Sequence, residues 1–230
     1  MKTKSMSLKK TKYAFLFVLL LSVAGMTKGY AQGYDDDPSI VLPTHNQEGD
    51  QEGSSSIVSQ TIALTSGVNW VSFNVDITLD DLKEALVESL PGDDTEITIK
   101  SKTRSTRYQN GRWVGQLSGL DKTRMYLIMV GNDCGITLEG TRIDLTELTV
   151  TIPLGANWIA YPYEESMSIT NFFGLFPYNN DQVKSKRQSA KYRGGRWTGQ
   201  LDFMEPGHGY IYISEDTKVR TFIFPSIDNK

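Results

Sequence analysis

The sequence predicts an α+β fold that is mostly β: two tandem repeats of about 85 residues, each an antiparallel sheet with hairpins and one helix. Three observations carry this expectation. The ten residues YQNGRWVGQL at 108–117 return as YRGGRWTGQL at 192–201, 84 positions on. Gly67-Val68-Asn69-Trp70-Val71 returns as Gly155-Ala156-Asn157-Trp158-Ile159, 88 positions on, so all four tryptophans fall into two equivalent pairs. Between these anchors, short alternating runs rich in β-branched and aromatic residues are broken by turn residues, which is strand and hairpin patterning. Self-similarity at a fixed period marks repeated structural units. Repeat 1 is set at 60–144 and repeat 2 at 145–226, with 227–230 as a tail; the drop from 88 to 84 places a net four-residue insertion between Val71 and Lys100.

Taken in order, 61–64 and 70–75 alternate and read as strands. Leu79, Leu82, Ala85, Leu86 and Leu90 recur at helical spacing, and Thr78 with Asp81 three residues on forms a capping box, so a helix is expected over 79–90. Pro91-Gly92 stops it. Strands follow at 96–101, 105–109, 112–117, 125–130 and 136–139. The second copy keeps a shorter, more aromatic helix over 169–176, weakened by Gly174.

Asn110-Gly111, like Gly194-Gly195, supplies the two positive-φ residues of a type I′ hairpin turn. That turn sets Gln109 opposite Arg112, Tyr108 opposite Trp113 and Thr106 opposite Gly115. Tyr108 with Trp113, and Tyr192 with Trp197, are then cross-strand aromatic pairs, and the glycine leaves room for another group on the ring. Trp113, Gly115 and Leu117 share one face by period two. A face of Trp, Tyr and Leu is read first as core, with a sugar-stacking platform as the alternative. Trp70 falls opposite Val71, Phe73 and Val75; it and Trp158 are expected to be buried against a neighbouring element. The other hairpin face is basic. Residues 100–117 and 184–201 hold eleven Lys and Arg and no acid. Arg107, Arg112, Lys191 and Arg196 lie opposite the tryptophans. Such a face is either an anion-attracting surface or a solvated, charge-protected strand edge.

The ends bound the setting. Lys2, Lys4, Lys9, Lys10 and Lys12 precede an apolar run over 14–24, and Gly29 and Ala31 are small residues ahead of Gln32. This is signal-peptide patterning over 1–31, too short for a membrane-spanning helix. The signal takes six lysines and no acid with it. Of 24 basic and 27 acidic residues, 18 and 27 remain, a net charge of −9. Bulk nucleic-acid binding is therefore disfavoured. Residues 32–59 read as a flexible acidic leader without Lys or Arg. The single cysteine, Cys134, cannot form an internal disulfide, and spacing sets it opposite Lys218 of the second copy.

The pattern G-x-N-W, K-S, S-A-x-Y, G-x-W-x-G-x-L and P-G-x-G-Y resembles a tandem module of exported and cell-surface proteins of Bacteroidetes-type Gram-negative bacteria. Gly155 to Trp158, Lys184-Ser185, Ser189 to Tyr192, Gly195 to Leu201 and Pro206 to Tyr210 carry it. The first copy departs at Asp121 to Tyr126. The resemblance implies an exported modular protein and supplies neither a catalytic set nor a ligand. The expected function is a non-enzymatic binding or adhesion protein of the envelope or cell surface. It would recognise polysaccharide, of anionic type, through Tyr108, Arg107, Arg112, Trp113, Tyr192, Lys191, Arg196 and Trp197. The alternative is a structural or assembly subunit whose partner is a surface protein. The adjacent carboxylates Asp80-Asp81, Asp93-Asp94 and Glu164-Glu165 do not share a face, no catalytic motif is present, and no cofactor or metal is called for. Mass spectrometry of protein from its native source is expected to find Gln32, free or as pyroglutamate, at the amino terminus; native protein retaining 1–31 would refute export by this route.

Overall fold

Residues 57–90, 92 and 96–226 are described by the structure, a computed structural model. The signal peptide, the leader up to Ser56, the Pro91 stop, the Asp93-Asp94 pair and the 227–230 tail lie outside the described residues. The first half of the fold contains β1 (Ile57–Leu64), β2 (Gly67–Val71), β3 (Val75–Asp76), α1 (Leu79–Ser89), β4 (Ile97–Lys100), β5 (Ser105–Gln109), β6 (Arg112–Gly115), β7 (Tyr126–Val130) and β8 (Cys134–Arg142). The second contains β9 (Thr149–Ile152), β10 (Gly155–Ile159), β11 (Met167–Ser168), α2 (Ile169–Phe173), β12 (Gln182–Lys184), β13 (Ser189–Arg193), β14 (Arg196–Gly199), β15 (Phe203–Met204), β16 (Tyr210–Ser214) and β17 (Arg220–Ile223). The protein is mostly β, as expected. One five-stranded sheet has the order β2-β7-β4-β5-β6 and another the order β10-β16-β12-β13-β14. Smaller sheets, β1-β8-β3, β9-β17 and β11-β15, complete the architecture, and every strand pair is antiparallel.

Each five-stranded sheet begins at a corner that the G-x-N-W motif builds. Gly67 and Gly155 stand at φ +93 and +87, where a Cβ would be strained. The buried Asn69 amide donates to the carbonyls of Thr65 (2.7 Å) and Gly67 (3.3 Å), and Asn157 donates to those of Pro153 and Gly155 (both 2.8 Å). A buried amide needs such partners, and here they tie the corner to its own strand.

The expected strand over 70–75 is broken. β2 stops at Val71 because the Ser72 N–H donates to Gly207 O (3.3 Å), a carbonyl of the second half. Gln60 replaces the missing ladder, its amide oxygen accepting from Asn74 N at 3.0 Å. β1 starts at Ile57, three residues inside the 32–59 leader, because it pairs with β8 along its whole length. α1 has the expected capping box: Asp81 N donates to the Thr78 hydroxyl (3.2 Å) and Thr78 N to the Asp81 carboxylate (2.8 Å). α2 ends at Phe173, short of the expected 176, because Gly174 adopts φ +50. The position of Cys134 is also corrected. It pairs with Leu64 as Arg220 pairs with Ile152, so strand register makes Arg220 its counterpart in place of Lys218.

The two cores differ in chemistry. α1 lays Leu82 and Leu86 on Ile97, Ile99 and Ile128, all fully buried. α2 is a single turn, and large rings fill the corresponding space: Tyr161, Tyr163, Phe172, Phe173, Tyr210, Tyr212 and Phe222. Sequence reading missed a buried ionic cluster there. Asp181 is fully buried. Its carboxylate accepts from Arg220 Nη2 (2.7 Å), Tyr178 N (2.8 Å), Glu215 N (2.7 Å) and the Tyr212 hydroxyl. Burial pushes the Tyr212 phenol well above its usual range, and its bond to Asp181 adds to the rise. The Asp181 backbone is bonded as well: its carbonyl accepts from Tyr192 N of β13 at 2.8 Å, and its N–H donates to Tyr178 O at 3.0 Å. Removing one partner of such a cluster strands a buried charge. Asp181→Ala is expected to lower unfolding free energy by about 3–5 kcal/mol in urea titration, and a change below ~1 kcal/mol would show that the cluster is not structural.

Candidate functional site

The two hairpins have the expected register. Asn110 and Gly111 stand at φ +51 and +74, Gly194 and Gly195 at +57 and +80. Tyr108 pairs with Trp113 and Tyr192 with Trp197. Ring centroids are 5.3 Å apart in both, tilted by 53° in the first pair and 64° in the second. All four rings are half-buried. Tyr108 and Trp113 pack on the first core; Trp197 packs on the second, 5.5 Å from Phe173, with its indole N–H buried and unpartnered among the described residues. The tryptophans thus present one flank to the interior and leave the other partly open.

The glycine beside each ring has a different role from the one expected. A Cβ on Gly115 would lie 2.3 Å from Ser105 O, and one on Gly199 2.2 Å from Ser189 O. The backbone crosses there so closely that two successive N–H groups share one acceptor: Gln116 N (2.8 Å) and Leu117 N (3.1 Å) on Ser105 O, Gln200 N (2.9 Å) and Leu201 N (3.3 Å) on Ser189 O. This bend delivers Leu117 and Leu201 to the cores. The glycine makes room for backbone, and no vacancy for a ligand results.

On the opposite face Arg107, Arg112 and Arg196 are exposed and Lys191 half-buried. The two hairpins part company here. Arg107 forms an ion pair with Glu96, an acid just outside the basic window, and Arg112 lies across from neutral Gln109. In the second hairpin Arg193 lies directly across from Arg196, with Lys191 across from Thr198. No ion pair relieves Lys191, Arg193 or Arg196 among the described residues. Like charges directly across a strand pair are unfavourable.

Trp70 and Trp158 are half-buried, as the hairpin tryptophans are, and each lines a groove between the two halves. The Trp70 groove, about 760 Å³, runs between β1–β2 and the loops at 185–188 and 200–210. The Trp158 groove, about 510 Å³, runs between 153–158 and the loops at 101–104 and 117–126. The loops are built alike. Ser101 and Ser185 accept backbone N–H bonds at 3.0 Å from Arg104 and Gln188. Asp121 N donates to the Tyr126 hydroxyl (2.6 Å) as Glu205 N does to that of Tyr210 (2.7 Å). Ala160 N donates to Thr123 O (2.9 Å) as Ser72 N does to Gly207 O. Period two had already set Trp70 off its strand's apolar face, which was the available signal. The loop that faces it comes from a segment more than a hundred residues away.

Among the described residues no three His, Cys, Asp or Glu side chains gather as metal ligands would, and no helix is long and apolar enough to cross a membrane. Trp113→Ala is expected to cost about 2–3 kcal/mol in urea unfolding, below the ~3–5 kcal/mol of a fully buried aromatic residue, because only part of the ring is enclosed. An unchanged midpoint would show that the ring serves the surface alone. Comparison with family models, with curated proteins and with solved structures finds no match for this chain.

Proposed function

We infer that this chain is an exported, non-enzymatic binding protein of the bacterial envelope or cell surface that recognises an anionic polysaccharide. The observation that carries the reading is the second hairpin. Arg193 and Arg196 face each other across two strands, with Lys191 on the same face and no acid paired to any of them among the described residues. A net charge of −9 after removal of 1–31 makes this concentration of cations a local feature. An extended polyanion would relieve the repulsion at several points along one face. The two five-stranded sheets share one strand order, which supports reading 60–144 and 145–226 as tandem repeats of one unit. Asp81 and Glu164 are engaged with Thr78 and Arg142, which supports a binding role over carboxylate catalysis.

A second reading, an assembly subunit, has its own observation. β6 is the edge strand of its sheet and carries Val114, half-exposed, so it offers backbone for pairing with another protein.

Arg193→Ser with Arg196→Ser is expected to weaken binding to an immobilised uronate- or sulfate-bearing polysaccharide more than Arg107→Ser with Arg112→Ser, since Arg107 already has a counter-charge. Stability should move by no more than about 0.5 kcal/mol per change. Binding should fall with added salt, because exposed charges are screened beyond about 8 Å at physiological ionic strength. A blank polysaccharide panel together with specific capture of one surface protein would favour assembly.

A further inference from the structure

We propose that the groove around Trp70 seats a sugar segment of a carboxylate-bearing glycan, and that the matching groove around Trp158 is closed to it. This rests on the polysaccharide reading and locates where the sugar rings are held. The two grooves are made from corresponding parts, so their differences are informative. Around Trp158 two cations reach across the groove and bond to its far bank. Lys102 Nζ donates to Ala156 O at 2.6 Å, and Arg124 donates to Trp158 O (3.4 Å) and Thr151 O (3.3 Å). Around Trp70 the same positions hold Lys186 and His208. The Lys186 and Arg187 side chains make no hydrogen bond or ion pair among the described residues, and both are exposed. His208 is too short to span the gap; its Nδ1 lies 3.1 Å from its own Pro206 O. The unbridged groove is about 760 Å³ against about 510 Å³ for the bridged one.

Its lining matches a sugar acid. Trp70, half-buried, is held by β2, and Phe203, 57% exposed, stands on β15 in the facing segment, so two aromatic surfaces flank the space. Gln188, Gln200, Asp202 and Glu205 supply amides and carboxylates to hydroxyl groups. Lys186 and Arg187 sit on one bank, placed for charge-assisted bonds to a carboxylate. The β1 side chains that line the groove include Thr61 and Ala63, from that strand's exposed face. This favours rings resting on side chains over a peptide pairing with backbone.

Calorimetric titration of the full chain with oligogalacturonate, a dextran sulfate oligomer and a dextran oligomer tests the proposal. Oligogalacturonate is expected to bind. Lys186→Ala with Arg187→Ala should weaken it by about tenfold or more, as loss of charge-assisted bonds does. His208→Arg, which restores the long side chain that bridges the other groove, should weaken it comparably. Lys102→Ala should leave it unchanged. Trp70→Ala should abolish binding, and the exposed-residue variants decide the matter if that protein fails to fold. Equal binding of dextran would overturn the carboxylate assignment, and preference for the sulfated oligomer would do the same. Loss of binding in the Arg193→Ser, Arg196→Ser protein with none in the groove variants would overturn the groove and leave the polysaccharide reading standing. Binding of none of the three probes would overturn both.

Discussion

Two peptide N–H groups set the arrangement on which the rest depends. Ser72 N donates to Gly207 O, and Ala160 N donates to Thr123 O. An edge strand ordinarily exposes a row of unpaired donors and acceptors. Here β2 and β10, each at one end of its sheet, spend part of that row on a loop of the opposite half. The exchange is reciprocal, in the manner of an isologous interface, although both sides belong to one chain. It stops β2 at Val71, and it holds the loops that carry Gly207 and Thr123 over the strands that carry Trp70 and Trp158. The Ser72 hydroxyl reinforces the seam by donating to His208 O (2.6 Å) and accepting from Tyr161 N (3.1 Å).

Behind that seam the halves solve the same packing problem with different material. An eleven-residue α1 supplies leucines to an aliphatic core, whereas the five-residue α2 leaves space that aromatic rings occupy. The rings bring hydroxyl groups with them, and a buried hydroxyl must find a partner. Asp181 meets this need for Tyr212, and Arg220 balances the charge so introduced. At the positions of Asp181 and Tyr212 the first half carries Ile97 and Ile128, which need nothing. The ionic cluster follows from the shortened helix, and it also steadies the β13 hairpin through the bond from Tyr192 N to Asp181 O.

The asymmetry of charge and groove between the halves has the same origin in small substitutions on a shared frame. Glu96 answers Arg107 in the first hairpin, while Arg193 and Arg196 are left facing each other in the second. Lys102 and Arg124 bridge one groove, while Lys186 and His208 leave the other unbridged. Both unanswered sets of cations belong to the second half, and Lys186 and Arg187 lie on the turn that leads into β13. Cationic hairpin and unbridged groove are therefore neighbours along the chain.

The sequence by itself determined the local structure. Asn110-Gly111 and Gly194-Gly195 set the turn type and thereby the pairing of Tyr108 with Trp113 and Tyr192 with Trp197, because two positive-φ residues admit one register. Thr78 and Asp81 set the start of α1 through a bond three residues long. The β-rich class followed from alternation. What lay beyond it were the contacts that depend on long-range closure. Gly115 read as space beside a ring, and only the crossing of its backbone over Ser105 showed that the space was taken. Glu96 was invisible to a search for acids within the basic window, since strand pairing, and not proximity in sequence, brings it to Arg107. Trp70 read as buried because rings this large are highly buried on average; it is half-buried, and the tertiary fold sets a segment 130 or so residues away opposite it with a groove between them. Local bonds are encoded in neighbouring residues and are legible there; which side chains of two distant segments meet, and which just fail to, is decided only when the chain closes on itself.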